Sequence, residues 1–540
     1  MRNTKYWISI LTAALLTGST SIAVAGSASA ISQKQPNVLI VLADDLGFSD
    51  LGSYGSEIET PNLDSLAEQG VRFSNFYNCA RCWASRAALI SGYYPQQMNA
   101  DPPDRKTIRR WSTPISTILK QQGYRAYHSG KWHIPMYDQT TKDGGFDQSY
   151  SLNDHDRFFY AKAHTENDQR LPRIKKGTDY YATSAIADHM IKYLKQHQSD
   201  HSDQPFFGYL AFTSPHFPLM APQETINKYD GKYDAGWDVL KQRRLDELRN
   251  QGFPDWKPSA REPQIDAPSR LKGTEEALGP IETYNAVEWD TLSAEQKSYQ
   301  AKKMQIHAAM IDEMDRAIGR VITQIRSMGA LEDTLIMFMS DNGASAEILV
   351  RGDGHNPEVP MGSGESYLCL GPGFANLANA PFRRYKIWNH EGGIATPMIA
   401  FWPKGINPEL AGSINQQPGH LVDVVPTIMN IIGINDSFRK AEAPPLPGSS
   451  FSDAFKGETM QKRGAIFFKH KGNRGMRLGD WKVVSSPTDR NKWELYNLKN
   501  DRAETTNLAA QFPEKIQQLT QYWQKLEDQM AMDAKQSLSK

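Results

Sequence analysis

Several stretches of the chain are apolar for about the length of a strand and then stop abruptly at charged or polar residues. These are PNVLIVLADD (36–45), the more polar GYRAYHSGKWH (123–133), PFFGYLAFTSPH (205–216), DTLIMFMSDNG (333–343) and TPMIAFWP (396–403). Between them the apolar positions recur with helical period, as in TPNLDSLAEQG and MQIHAAMIDEMDRAIGRVITQIRSMG. Continuous apolar runs alternating with amphipathic helices predict an α/β fold with a mostly parallel central sheet sandwiched by helices. Residues 223–300 break this rhythm, being polar, charged and rich in proline. They predict a long excursion with a helix around WDVLKQRRLDELRNQG, either covering surface near the active site or serving as a passive decoration. The pattern changes again near EAPPLPGSS (442–450). GAIFFKH, GMRLGDWKVVSS and KWELYNL are short strands separated by turn residues, and predict a smaller antiparallel sheet. FPEKIQQLTQYWQKLEDQM then supplies a terminal amphipathic helix. The expected division is residues 31–450 for the large α/β domain and 451–540 for a C-terminal α+β subdomain.

The N-terminus is distinct. Arg2 and Lys5 precede an apolar run that ends in small residues at Ala28-Ser29-Ala30. Residues 1–30 therefore predict a cleaved secretory signal, with the mature chain periplasmic or secreted. A stable membrane anchor is disfavoured, because Thr, Ser and Gly interrupt the run and it is too short to span well. Cleavage removes two of the 61 basic residues and leaves 59 against 61 acidic ones. So balanced a charge gives no footprint for nucleic acid.

Chemistry gathers just after the apolar runs. The first ends in Asp44-Asp45, the second in Lys131 and His133, the third in His216, and the fourth in Asp341-Asn342. In open α/β sheets, sites form beyond the carboxyl ends of the strands. Asp44, Asp45, Asp341 and Asn342 offer oxygen ligands only, which suits Ca²⁺, or Mg²⁺, rather than zinc. Either pair alone is also a good turn or helix cap. Two such pairs on one sheet favour a metal, since three gathered carboxylates without a cation repel and protonate.

The chain has three cysteines, an odd number for an exported protein. Cys82, in NCARCWASRAALISG, stands just before an expected helix, with Arg86 four residues on. A helix N-terminus lowers a thiol pKa, and an arginine forks onto oxyanions. A nucleophilic Cys82, a buried structural thiol and a disulfide with Cys79 are all compatible with these residues.

CWASR resembles the signature of the type I, formylglycine-dependent sulfatases, with Ala84 where that signature usually has proline. NVLIVLADDLGFSDLGSYG, GKWH, SPHFP, SDNGA, YKIWNHEGGIATPMIAFWPKGI and WELYNLKNDRAETTNLA resemble further blocks of that family, in order and over nearly the whole mature chain. The likeness is strongest to bacterial arylsulfatases. It implies an alkaline-phosphatase-like fold and a sulfuric ester hydrolase, with Cys82 oxidised to formylglycine by a maturation enzyme. The aldehyde would hydrate to a gem-diol, one hydroxyl attacking sulfur and the other later expelling sulfate. The resemblance places the cation on Asp44, Asp45, Asp341, Asn342 and residue 82. It gives Arg86 the task of holding the nucleophile charged, and Lys131 and Lys386 that of binding sulfate oxygens. His133 would accept a proton during elimination, and His216 would protonate the leaving oxygen. His390, Glu391 and His420 are expected in supporting roles. Cys369, lying between the Asp341 and Lys386 motifs, is expected to form a disulfide with Cys79 that ties the signature loop to the opposite rim. The substrate would be a sulfated polysaccharide or a small sulfated molecule. The rival readings are a phosphatase or phosphodiesterase on the same scaffold, and a secreted glycan-binding relative without catalysis.

Overall fold

The computed structural model describes residues 35–536 except 104, 105, 109, 270, 436, 437 and 462. The expected signal segment, residues 1–30, lies outside the described residues. Among the described residues no helix is long and apolar enough to cross a membrane.

An 11-stranded sheet organises the chain. Its strands are β1 (Asn37–Asp44), β2 (Val71–Tyr77), β3 (Arg125–Gly130), β4 (Gln148–Leu152), β5 (His164–Glu166), β6 (Gln169–Arg170), β7 (Phe206–Pro215), β8 (Thr334–Ser340), β9 (Ala395–Phe401), β10 (Ser413–Asn415) and β11 (Gly419–His420). The spatial order is β10-β2-β9-β8-β1-β7-β3-β4-β5-β6, with β11 also on β2. The central pairs β8–β1, β1–β7, β7–β3 and β3–β4 are parallel. β9 runs antiparallel to both β8 and β2. All five expected apolar runs are strands. β2 was not legible, because Arg72, Ser74 and Asn75 interrupt its apolar positions and a bulge lies between Phe73 and Phe76.

β1 shows why these runs are apolar throughout. Val38, Ile40 and Leu42 enter one core with Leu89 and Ile90 of α2 (Cys82–Ser91). Leu39, Val41 and Ala43 enter the other core, with α1 (Pro61–Gln69), α3 (Ala182–Asp200) and α5 (Ala294–Ser327). Each residue of β1 is buried, so alternation has no polar face to mark. α5 starts at Ala294, earlier than its apolar pattern. Ser293 caps it by accepting from Gln296 N at 3.2 Å, while Gln296 Oε1 accepts from Ser293 N at 3.1 Å.

The excursion carries α4 (Gly236–Asn250) and is packed against the segment after β8. Trp237 meets Phe374 edge-on at 5.3 Å, and Glu262 pairs with Arg383 at 2.6 Å and Arg384 at 3.1 Å. The C-terminal sheet has order β12-β13-β14-β15, over Ile466–His470, Asn473–Leu478, Trp481–Ser485 and Trp493–Asn497. Its first hairpin turns through Lys471 and Gly472, both at positive φ, between the paired His470 and Asn473. The terminal helix α6 (Pro513–Gln536) stacks Trp523 on Phe467 at 5.4 Å.

The Cys79–Cys369 disulfide does not form; all three cysteines are free and buried. The two partners sit in different apolar clusters. Cys79 packs with Ala84, Ala88 and Val422, its Sγ 3.9 Å from His420 Nε2. Cys369 packs with Phe217, Leu349 and Tyr367, its thiol directed at Leu349 O.

Candidate active site

Parallel pairing brings the ends of four neighbouring strands to one edge of the sheet, with a register shift between β1 and β7 at Leu42–Asp44. Ala43 pairs with Ser340, Asp44 with Pro215, and Gly130 with Ala211. The next residues along are Asp45, Asp341, His216 and Lys131, so the residues singled out after four separate apolar runs share one edge. Asp45 takes a left-handed φ of 65°, which aspartate tolerates and which turns the chain off the strand. Gly343 is required beyond Asn342, since a Cβ there would lie 1.8 Å from Gly392 O. Cys82 is the first residue of α2, rather than preceding it. Lys386 comes from the loop before β9, anchored by Lys386 N to Ala344 O at 3.2 Å and Ile387 N to Ala80 O at 2.9 Å. Ile387 holds φ 87°, a strained value for a β-branched residue that the anchored loop maintains.

The side chains meet in a charge-alternating cluster. Lys131 Nζ lies 2.5 Å from Asp44 Oδ2. Arg86 donates from Nε to Asp341 Oδ2 at 2.8 Å and from Nη1 to the Lys131 carbonyl at 2.9 Å. Lys386 Nζ reaches Asp45 at 2.8 Å and Glu347 at 3.3 Å. Asn342 Nδ2 donates to Asp45 Oδ1 at 2.6 Å. His216 Nε2 is 3.7 Å from Asp45 Oδ2, and its Nδ1 faces the Phe217 carbonyl. Cys82 Sγ is 3.5 Å from His133 Nδ1. Arg86 directs its donors at the Asp341 carboxylate and at the main-chain carbonyls of Lys131 and Phe212.

Burial and charge set the protonation states. Burial and the neighbouring Asp44 push the Asp341 carboxyl well above the usual range, and burial raises Asp45. Asp44 is held low against burial by Lys131 and Arg86. Burial would strip the Lys386 proton, but Asp45 and Glu347 outweigh it and raise the pKa. His133 and His216 are driven well below the ordinary histidine value by burial and by the surrounding cations, so both rings are neutral.

Among the described residues, Asp44 Oδ1 and Asn342 Oδ1 are buried acceptors without a hydrogen-bond partner. Ligand atoms of Asp44, Asp45 and His216 lie within 4.8 Å of one another. An oxygen-binding cation fits such a set: it gives the two orphaned oxygens a partner and offsets the repulsion that raises Asp341. A second group, His390, Asp489 and Glu494, is of another kind. Its carboxylates are taken by Arg383 and Arg384. Glu391 is held by Lys482 at 2.7 Å.

Several residues around this centre carried no signal in the sequence. Glu347 pairs with Lys386 and with Arg81, whose guanidinium lies 4.7 Å from the Trp83 ring. His155 stacks on His133 at 5.6 Å and meets His216 edge-on at 5.5 Å. Arg351 lies 5.4 Å from the ring of Phe217. They sit in loops rather than at strand ends, and no period or motif marks them.

A family model described as Sulfatase matches residues 36–434. The chain belongs to the sulfatase family. A second model, N-sulphoglucosamine sulphohydrolase, C-terminal, matches residues 383–534 of this sulfatase. An uncharacterized sulfatase of Schizosaccharomyces pombe is 32% identical, over 91% of this chain and 93% of its own length. An arylsulfatase of Klebsiella aerogenes is 31% identical, over 79% of this chain and 93% of its own. The crystal structure of Ps i-CgsB has a TM-score of 0.64 at 22% identity, covering 92% of this chain and 93% of that one. A structure solved with its substrate D-glucosamine-2-N,6-O-disulfate has a TM-score of 0.62 at 20% identity, over 92% and 98%. Both share the fold of this sulfatase. The protein is an enzyme that hydrolyses sulfate esters.

Proposed function

We propose that the sulfatase acts through Cys82 matured to formylglycine, beside a divalent cation, Ca²⁺ or Mg²⁺, held by Asp44, Asp45, Asp341 and Asn342. The observation that carries this reading is the pair of orphaned oxygens, Asp44 Oδ1 and Asn342 Oδ1, in the cluster that Cys82 faces. When present, the cation and the hydrated aldehyde together supply a Lewis-acid contact and an oxygen nucleophile. The unmodified Sγ stands in for the aldehyde oxygen, and its 3.5 Å approach to His133 Nδ1 suits a neutral ring that accepts a proton there. Lys131 and Lys386, held beside Asp44 and Asp45, would bind sulfate oxygens and offset charge growing on them. Donation from His216 Nδ1 to the Phe217 carbonyl leaves Nε2 as the ring atom free to exchange a proton. A bound sulfate would offset the nearby lysines and favour a proton on Nε2, as delivery to the leaving oxygen requires. Arg86 keeps Asp341 and Asp44 in place.

The substrate is a sulfate ester of a saccharide or of an aryl alcohol. The reading includes export, with cleavage near Ala30, and modification of Cys82 by a formylglycine-generating enzyme. Mass spectrometry of the peptide containing Cys82, with sulfate release from a chromogenic aryl sulfate, tests it. The active protein should show one sulfur and two hydrogens replaced by one oxygen at residue 82, and Cys82→Ala should be inactive. An unmodified thiol in fully active protein, or undiminished activity in Cys82→Ala, overturns the mechanism.

A further inference from the structure

We infer that a cleft running from the Asp156–Arg351 pair past Phe159 binds the saccharide chain that carries the scissile sulfate. This rests on the proposed catalytic centre only for where the sulfated end lies.

A chain of side-chain contacts links the catalytic centre to the cleft. Phe217 follows His216, and both Lys386 and Arg351 lie 5.4 Å from its ring. Arg351 is held at two points by Asp156, at 2.8 and 2.6 Å. Asp156 in turn lines a small chamber of about 90 Å³ with Arg157, Tyr160, Lys176, Asp353 and Glu365. Tyr160, Lys176 and Glu365 also line a second, open chamber of about 530 Å³, so the two adjoin across these side chains.

The walls suit hydroxyl-bearing rings. Each of those charged side chains has an opposite partner. Asp353 receives Arg157 at 2.8 Å and the Tyr160 hydroxyl at 2.6 Å, and Lys176 pairs with Glu365 at 2.5 Å. A charge-paired wall offers no net field to a polyanion, but it presents fixed donors and acceptors to hydroxyl groups. The second chamber adds an apolar floor of Phe159, Ala221, Pro222, Val359 and Pro360. Phe159 is half-buried and braced by Tyr181 at 5.2 Å. Apolar floors with a few fixed polar groups are the usual make-up of ligand clefts, and a sugar ring matches this one with its C–H faces and its hydroxyl rim. The sugars beyond the sulfated one are therefore recognised through hydroxyls and ring faces.

Calorimetric titration of full-length Cys82→Ala protein with desulfated di- and tetrasaccharides from carrageenan and from heparin tests this. One tetrasaccharide series should bind saturably and more tightly than its disaccharide, and Phe159→Ala should weaken it roughly five- to ten-fold. In the Cys82 enzyme, the ratio of kcat/KM for the sulfated tetrasaccharide to that for a chromogenic aryl sulfate should fall by the same factor. Lys176→Ala, at a half-exposed surface position, gives a second variant that the fold tolerates. No saturable binding by either series, or no change in binding and ratio with both variants, overturns the cleft. Intact tetrasaccharide binding in a protein that releases no sulfate supports the cleft and counts against the proposed reaction instead.

Discussion

Arg86 Nε donates to Asp341 Oδ2 at 2.8 Å, and both side chains are fully buried. The two residues are 255 positions apart, one in the first helix after β2 and the other just past β8. The pair joins the signature helix to the carboxylate cluster, so it contributes to stability and to the geometry of the site together.

Arg86 also helps hold the buried Asp44 carboxyl charged, so removing it leaves that charge without one of its partners. Arg86→Ala should therefore lower unfolding stability by about 3–5 kcal/mol as well as abolish activity. Denaturant unfolding checks the first effect. A variant of unchanged stability would show that Arg86 does not support the Asp44 charge in the folded protein.

Chelation should act in the opposite sense to saturation with Ca²⁺. EDTA treatment should abolish sulfate release and lower Tm, and Ca²⁺ should restore both. A ligand at a hundred times its Kd adds about 2.7 kcal/mol to the folded state. Differential scanning calorimetry with and without Ca²⁺ reads this directly, and a Tm indifferent to both treatments excludes a resident cation.

Glu262 gives a pH dependence of defined sign. Burial would raise its carboxyl, but Arg383 and Arg384 outweigh burial and bring it down to about 2. A carboxyl depressed on folding contributes stability above its unfolded pKa and loses it as pH falls towards the folded value. Glu262→Gln should therefore cost about 2–3 kcal/mol at pH near 7 and nothing below about 2, with the difference fading from about 4.5 downward. Denaturant melts across that range test it, and a pH-independent difference would show that packing, not charge, is what was lost.

The thiols supply a covalent check. Burial pushes Cys369 up to about 12 and Cys79 higher still, so neither forms thiolate at neutral pH. Native mature protein should react slowly with a thiol reagent, and after unfolding without reductant it should release both thiols. Recovery of a Cys79–Cys369 cross-linked peptide would contradict the separate clusters.

The central strands and the strand-end residues were legible because each strand is buried on both faces. Continuous apolar runs ending in Asp44-Asp45, His216 and Asp341-Asn342 need no partner to be recognised, and the order of motifs around CWASR carried the family. β2 was hidden because three of its seven residues are polar, and that polarity is satisfied only in the folded chain. Asn75 donates to Gln416 O and accepts from Arg502, 427 positions away. The disulfide expectation failed for a related reason, since nearness in motif order says nothing of which apolar cluster a thiol enters.

The sequence by itself determined the α/β class, the C-terminal sheet and which polar residues follow the apolar runs, because periodicity and residue chemistry are local properties. Only the tertiary structure decided which charges pair, which oxygens are left without a partner, and how Glu347, His155 and Arg351 come to surround the site. Those facts depend on strand register and loop closure between distant segments, and on removing the charges from water, where pairing and desolvation become strong enough to fix protonation.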